Sequence, residues 1–229
     1  MKKISIQLIV FSLLIFLVSC KTTTNNSQSA SNQDSASNVQ SSEAAATKLS
    51  PQTATPSEPN ELGIVPISGV DKSDDKKIAP NIKWTSSDGT SKSLNDYKGK
   101  VVMLNFWATW CPPCRAELPD IVKLRNELGP KGFEVIGVSV SERLQPGTTI
   151  IQLLSKFMNS NKMSYPMLYL GMDSEPQMKI AQEVTSAYGG ISGIPSTFII
   201  DKKGIITSNF VGGQSEATFR KAIEAALMN

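Results

Sequence analysis

Polar and apolar positions divide the chain into an apolar start, a long polar stretch and a region of regular periodicity. Residues 4–18 are apolar apart from three positions, whereas Ser, Thr, Asn and Gln supply 24 of the 40 residues at 21–60. A segment this polar buries too little apolar surface to offset the loss of chain entropy. We therefore predict a disordered tether over residues 20–77 and one folded domain over residues 78–229.

The periodic region predicts an α/β fold. Two nearly continuous apolar runs, at 101–107 and 133–140, have the length of buried central strands. A helical pattern lies between them and is ended by Gly129 and Pro130. This strand–helix–strand order favours a central sheet covered by helices. The other predicted elements are a hairpin (82–85 and 91–94), strands at 165–168, 197–200 and 205–211, and helices at 149–158, 177–188 and 215–228.

The first residues resemble an export signal. A basic start at residues 1–3 precedes an apolar run that is shorter than the ~20 residues of a membrane-spanning helix. Leu17, Val18, Ser19 and Cys20 resemble the lipobox of bacterial lipoproteins, in which the signal is removed before a lipidated cysteine. We predict a signal peptide over residues 1–19, lipidation at Cys20, and a domain in the periplasm or on the outer face of a membrane. An uncleaved anchor helix and an ordinary signal peptide are the alternatives.

Composition excludes several kinds of chemistry. The chain has no histidine, which excludes Ser-His-Asp triads, Cys-His dyads and imidazole metal sites. A net charge of +3 gives little support to nucleic-acid binding, so we expect no nucleic-acid partner. The cysteines at positions 111 and 114 are therefore the strongest candidates for chemistry.

Cys111 and Cys114 flank two prolines where a predicted strand gives way to a predicted helix. Free N–H groups and the helix dipole stabilise a thiolate at such a position, and the Cys-x-x-Cys spacing allows a disulfide. A structural disulfide and a copper site are alternatives, while a zinc site lacks two further ligands. We predict a redox-active pair that uses no metal and no cofactor.

The residues around this pair resemble the thioredoxin-like family. Residues 106–114 are similar to its active-site strand and loop, Pro119 to its helix-kinking proline, and residues 193–197 to its cis-proline loop. Residues 97–100 and 115–119, with a large insertion over 141–184, resemble the TlpA/ResA-like thiol–disulfide oxidoreductases. The resemblance implies a thioredoxin-like α/β fold, a mixed sheet flanked by helices, with an N-terminal β-hairpin and a central insertion.

The resemblance also implies roles for individual residues. Cys111 attacks a substrate disulfide and Cys114 resolves the mixed disulfide. Pro195 is the cis-proline beside the cysteines, and the backbone of Ile194 binds the incoming peptide. Trp110 contributes an apolar docking surface, for which plain packing is the alternative.

The proton-transferring group is expected at a different position from that of thioredoxin. Thioredoxin carries a buried aspartate where this chain has Asn105. The TlpA/ResA-like proteins carry a glutamate three residues after the second cysteine, and Glu117 stands there. The resemblance implies a proton relay through Glu117. A solvated surface glutamate is the alternative.

The implied function is that of a monomeric, membrane-tethered enzyme. It would reduce disulfides of exported proteins, with apocytochrome c as a substrate of the family, and receive electrons from a membrane donor. A disulfide-forming oxidase stays open as an alternative. A peroxiredoxin-like peroxidase is another, although Leu104 and Ala108 stand where its motif has Pro and Thr. A non-catalytic lipoprotein binding module is the third.

Overall fold

A single mixed sheet organises the computed structural model, which describes residues 62–229. The strands are β1 (Ile64–Asp71), β2 (Asn81–Thr85), β3 (Ser91–Ser93), β4 (Val101–Trp107), β5 (Phe133–Ser139), β6 (Met167–Tyr169), β7 (Ser196–Ile200) and β8 (Ile206–Val211). The α-helices are α1 (Pro112–Leu128), α2 (Ile150–Ser160), α3 (Glu175–Ala187) and α4 (Glu216–Met228). The order across the sheet is β3-β2-β1-β6-β5-β4-β7-β8.

The central strand β4 separates two apolar cores. All of its residues are buried, and its side chains alternate between the two faces of the sheet. Met103 and Trp107 pack with α1, α2 and α4, whereas Leu104 and Phe106 pack with α3 and the N-terminal strands. By this alternation Asn105 lies on the α1 face, so a polar side chain points towards the helix that carries the cysteines.

One edge of the sheet collects the loops that form the candidate site. The parallel strands β4, β5 and β6 end at this edge. Antiparallel β7 begins there, because Ser196 pairs with Phe106. Sites in α/β proteins commonly form outside the carboxyl ends of the strands. The edge therefore brings the start of α1 beside the loop before β7.

The start of the domain differs from the sequence prediction. Strand β1 lies within residues 20–77, which were assigned to the tether, yet it pairs with β2 and with β6. Pro66 and Gly69 within β1 weaken the strand pattern, and its partner in β6 lies about 100 residues away along the chain. The folded region thus begins before Ile78. The other predicted strands and helices are confirmed, with bounds that differ by one or two residues.

The predicted signal peptide, the lipidation site Cys20 and most of the predicted tether lie outside the described residues. Within 62–229, no helix is long and apolar enough to cross a membrane.

Candidate active site

The two cysteines open α1. Cys111 is the N-cap residue, and Pro112 and Pro113 occupy the first two helical positions. Proline fits there because an N–H at these positions has no partner within the helix. A disulfide joins Cys111 to Cys114, and the two residues are 2% and 0% exposed. The local sequence therefore places a nearly buried disulfide at a helix N-terminus.

The helix end favours negative charge on the sulfur of Cys111. The backbone N–H of Cys114 donates to Cys111 Sγ over 3.3 Å. After reduction the same N–H, together with the helix dipole, stabilises a thiolate at Cys111. This geometry makes Cys111 the better nucleophile of the pair.

The loop before β7 lies against the same sulfur. The Ile194–Pro195 peptide bond is cis, and the carbonyl oxygen of Ile194 is 3.7 Å from Cys111 Sγ. The Gly212 N–H donates to the carbonyl oxygen of Pro195 over 2.8 Å, which fixes the loop against the end of β8. The structure thus brings together Cys111, Ile194 and Pro195, as the sequence predicted.

Glu117 lies one helical turn beyond Cys114 on the buried face of α1. The residue is 3% exposed, which rules out the solvated surface glutamate. Its Oε1 accepts a hydrogen bond from Asn105 Nδ2, and its Oε2 accepts one from the Gln214 N–H, each over 3.1 Å. Burial raises the pKa of Glu117 to about 7, although both hydrogen bonds oppose the rise. Near neutral pH the protonated and the ionised form of the carboxyl group are therefore both populated.

Asn105 makes two side-chain hydrogen bonds that the sequence analysis did not predict. Its Nδ2 also donates to Thr197 Oγ1 over 2.8 Å, and Thr197 lies two residues after the cis-proline. The amide thus links Glu117 to the strand that carries the Pro195 loop. The feature of the sequence that could have indicated this role is that Asn105 is the one polar residue of the apolar strand β4.

A second glutamate reaches the site from the loop after β5. Glu142 accepts hydrogen bonds from the backbone and hydroxyl of Thr109. Its neighbour Ser141 accepts the indole N–H of Trp110, and the Arg143 guanidinium lies 4.2 Å from a Trp110 ring centroid. Sequence reasoning missed these contacts. The signal was the position of Glu142 just after a buried strand parallel to β4.

The chemistry available here is that of the two sulfurs and the carboxyl group of Glu117. Among residues 62–229, no group of three or more His, Cys, Asp or Glu side chains is placed to hold a metal ion. A nucleophilic sulfur, a second sulfur in bonding distance and a group that titrates near pH 7 together suit thiol–disulfide exchange.

Comparisons with known proteins agree with this chemistry. The profile of the Redoxin family matches residues 72–227. The chain is 33% identical over 140 residues to "Thiol-disulfide oxidoreductase ResA" of Bacillus thuringiensis (strain Al Hakam), covering 61% of this chain and 71% of that protein. It is 30% identical over 146 residues to "Thioredoxin-like protein YneN" of Bacillus subtilis (strain 168), covering 64% of this chain and 76% of that protein.

A solved structure supports the same relationship. A thiol:disulfide interchange protein of the thioredoxin family from Chlorobium tepidum TLS superposes with a TM-score of 0.54 at 31% identity. The match covers 66% of this chain and 96% of that one. This likeness confirms the thioredoxin-like fold that the sequence predicted.

Proposed function

The chain belongs to the Redoxin family and is a TlpA/ResA-like thiol–disulfide oxidoreductase, and we propose that it reduces disulfides of exported proteins through Cys111 and Cys114. One observation carries this proposal. The Cys111–Cys114 disulfide caps α1, faces the cis Ile194–Pro195 peptide and lies one helical turn before the buried Glu117. The pair works without a cofactor, because the electrons are held by the two sulfurs.

In the first step, the Cys111 thiolate attacks one sulfur of the substrate disulfide. A bond forms between Cys111 and that sulfur, and the other substrate sulfur leaves as a thiolate. The Cys114 N–H and the end of α1 stabilise the attacking thiolate. The backbone of Ile194, which borders Cys111 Sγ, binds the substrate chain beside the mixed disulfide.

In the second step, Cys114 resolves the mixed disulfide. Its thiol gives a proton to the carboxylate of Glu117 and attacks the Cys111 sulfur. The Cys111–Cys114 disulfide forms as the bond between Cys111 and the substrate sulfur breaks, and that substrate sulfur leaves and takes up the proton from Glu117. A pKa of about 7 suits this transfer, because Glu117 accepts and returns a proton at the same pH.

The remaining parts of the proposal rest on the sequence. The lipobox-like residues before Cys20 support a lipid anchor, which would hold the enzyme on the outer side of a bacterial membrane. We expect it to work there as a monomer. A membrane electron donor would then reduce the Cys111–Cys114 disulfide again. Apocytochrome c, whose haem-binding cysteines form a disulfide, is the substrate suggested by the TlpA/ResA-like resemblance.

Partner trapping tests the proposal. In the full-length Cys114→Ser variant, Cys111 still attacks but nothing resolves the product, so mixed disulfides accumulate. Mass spectrometry of the trapped species is expected to identify exported proteins, and proteins with haem-binding cysteine pairs would support the narrower substrate. A Cys111→Ser/Cys114→Ser variant is the matched control and should trap nothing.

Two further readouts come from the same cells. The wild-type pair should be mostly reduced at steady state, and a pair that is mostly oxidised would contradict the reductase direction and favour a disulfide-forming oxidase. Adding Cys20→Ala should move the trapped complexes from the membrane fraction to the soluble fraction. Unchanged membrane fractionation would contradict the lipid anchor.

A further inference from the structure

The loop after β5 makes contacts that the exchange steps above do not use. Residues 141–143 contact Thr109 and Trp110, the two residues that precede Cys111, through hydrogen bonds and a cation–π contact. We propose that Glu142 is a positioning residue that fixes the Trp110 indole as the surface on which protein disulfides dock. The inference rests on the proposed function, because it assumes that Cys111 exchanges with disulfides of other proteins.

Glu142 ties together the ends of the two central strands. Its Oε1 accepts the Thr109 N–H over 2.9 Å and the Ser139 hydroxyl over 2.7 Å. Its Oε2 accepts the Thr109 hydroxyl over 2.5 Å. Ser139 ends β5 and is 1% exposed, and it pairs with Trp107 at the end of β4. Hydrogen bonds to a carboxylate are stronger than those between neutral groups, so this cluster holds the loop firmly.

The residues on either side of Glu142 hold Trp110 directly. Trp110 Nε1 donates to the Ser141 carbonyl oxygen over 2.9 Å, and the Arg143 guanidinium carbon lies 4.2 Å from a ring centroid. Ser141 has a φ of 50°, in the left-handed region that residues other than glycine seldom occupy. The Glu142 hydrogen bonds hold the backbone in this conformation, which aims the Ser141 carbonyl group at the indole.

With these contacts in place, Trp110 still presents an apolar surface beside Cys111. Trp110 is 36% exposed, whereas Trp84 and Trp107 are 5% and 0% exposed. Since Ser141 already accepts the indole N–H, the exposed part of the ring offers apolar contact. Tryptophans of this kind contribute strongly to protein interfaces, and a side chain fixed before binding loses less entropy when a partner docks.

Kinetics of the full-length Glu142→Ala variant test the proposal. For insulin disulfides we expect KM to rise about tenfold with kcat changed less than about twofold, because docking is lost and the sulfur chemistry is retained. The rate with the small disulfide 5,5′-dithiobis(2-nitrobenzoate) should also change less than about twofold, because this reagent needs no docking surface. Glu134→Ala is the matched control: Glu134 is also part-buried and hydrogen-bonded, at the other end of β5, and its loss should leave all three values unchanged.

Tryptophan fluorescence reports the position of Trp110 independently of catalysis. In the reduced protein, Glu142→Ala should increase quenching by acrylamide, because the indole is released. In a Trp110→Phe background the same substitution should have no effect. An increase that persists in that background would overturn the proposal, because Trp84 or Trp107 would then be responsible.

Failure of this inference is distinct from failure of the proposed function, which would show as a wild-type protein that reduces no protein disulfide. If Trp110→Ala leaves the insulin KM unchanged, substrates do not dock on Trp110, and this inference is overturned while the exchange at Cys111 and Cys114 stands. If Trp110→Ala raises KM while Glu142→Ala changes neither KM nor quenching, this inference alone is overturned. Should Glu142→Ala not fold, Glu142→Gln retains the volume and one acceptor oxygen, and we expect a smaller rise in KM and quenching. No rise in either would overturn the proposal.

Discussion

The carboxyl group of Glu117 is almost fully buried and receives two hydrogen bonds, whereas that of Glu142 is half-buried and receives three. Glu117 approaches the cysteine pair from within α1, and Glu142 approaches it from the loop after β5. At Glu117, loss of water outweighs the hydrogen bonds and raises the pKa to about 7. The Glu142 cluster instead joins two strand ends.

The surroundings of the two glutamates therefore favour different properties in the same residue type. A carboxyl group that loses its water and gains few donors has a raised pKa, which suits the proton transfer proposed for Glu117. A carboxylate that keeps some water and gains donors from two chain segments suits the positioning role proposed for Glu142.

The comparison of Glu117 with Glu142 assumes that both residues assist reactions of the same nucleophile, Cys111. Cys111→Ser should lower turnover by more than about 1000-fold for protein disulfides and for small disulfides, because the Cys114 sulfur that remains is fully buried and cannot reach a substrate disulfide. Steady-state reduction of insulin and of 5,5′-dithiobis(2-nitrobenzoate) measures the loss. Cys114→Ser should still release one equivalent of the small thiol product. If Cys111→Ser retained that single turnover, Cys114 would be the attacking residue.

Glu117→Gln should affect proton transfer whatever the size of the substrate, unlike Glu142→Ala. We expect the resolving step to slow by about 100-fold at pH 7, because Cys114 loses its proton acceptor. In the wild type the rate should rise as the pH increases through about 7, where Glu117 becomes ionised. Stopped-flow decay of a preformed mixed disulfide measures the rate. A variant that keeps the wild-type rise around pH 7 would exclude Glu117 as the proton acceptor.

The raised pKa of Glu117 should also make the stability of the fold depend on pH. The pKa of Glu117 is about 7 in the folded state against 4.5 for the free group, so the folded state holds the proton more tightly. Its contribution to stability is complete below pH 4.5 and is lost as the pH rises through about 7. From pH 5 to 8, the free energy of unfolding of the wild type should fall relative to Glu117→Gln by roughly 2–3 kcal/mol.

Urea unfolding at a series of pH values measures this difference. Groups other than Glu117 titrate in both proteins and cancel in the comparison. If the difference in the free energy of unfolding between wild type and Glu117→Gln stays constant from pH 5 to 8, the pKa of Glu117 is not raised.

Much of the fold was accessible from local patterns. The uniform apolar run of β4 predicted a central strand, and the helix predicted at 215–228 is α4, which begins one residue later. The cysteine spacing and the strand-to-helix junction located the candidate pair, because helix N-termini follow local rules. Features that depend on a few neighbouring residues are therefore readable from the sequence.

Contacts between distant segments were less accessible. Glu117 was singled out, but its two donors come from β4 and from the loop after β8, about 12 and 97 residues away. Glu142 was missed because one of its partners, Ser139, ends β5 and the other, Thr109, lies in the turn after β4, 33 residues away along the chain. A hydrogen-bond network of this kind depends on sheet order, which the one-dimensional pattern does not contain.

Strand β1 is made long before one of the two strands with which it pairs. It is the first described strand to leave the ribosome, but it lies between β2 and β6 in the finished sheet. One edge can pair early with β2, while the other stays open until residues 167–169 have been made, about 100 residues later. Unpaired strand edges attract other chains. A nascent copy that stalls before β6 would therefore expose an adhesive edge, and we expect such arrested chains to depend on chaperones more than the completed domain does.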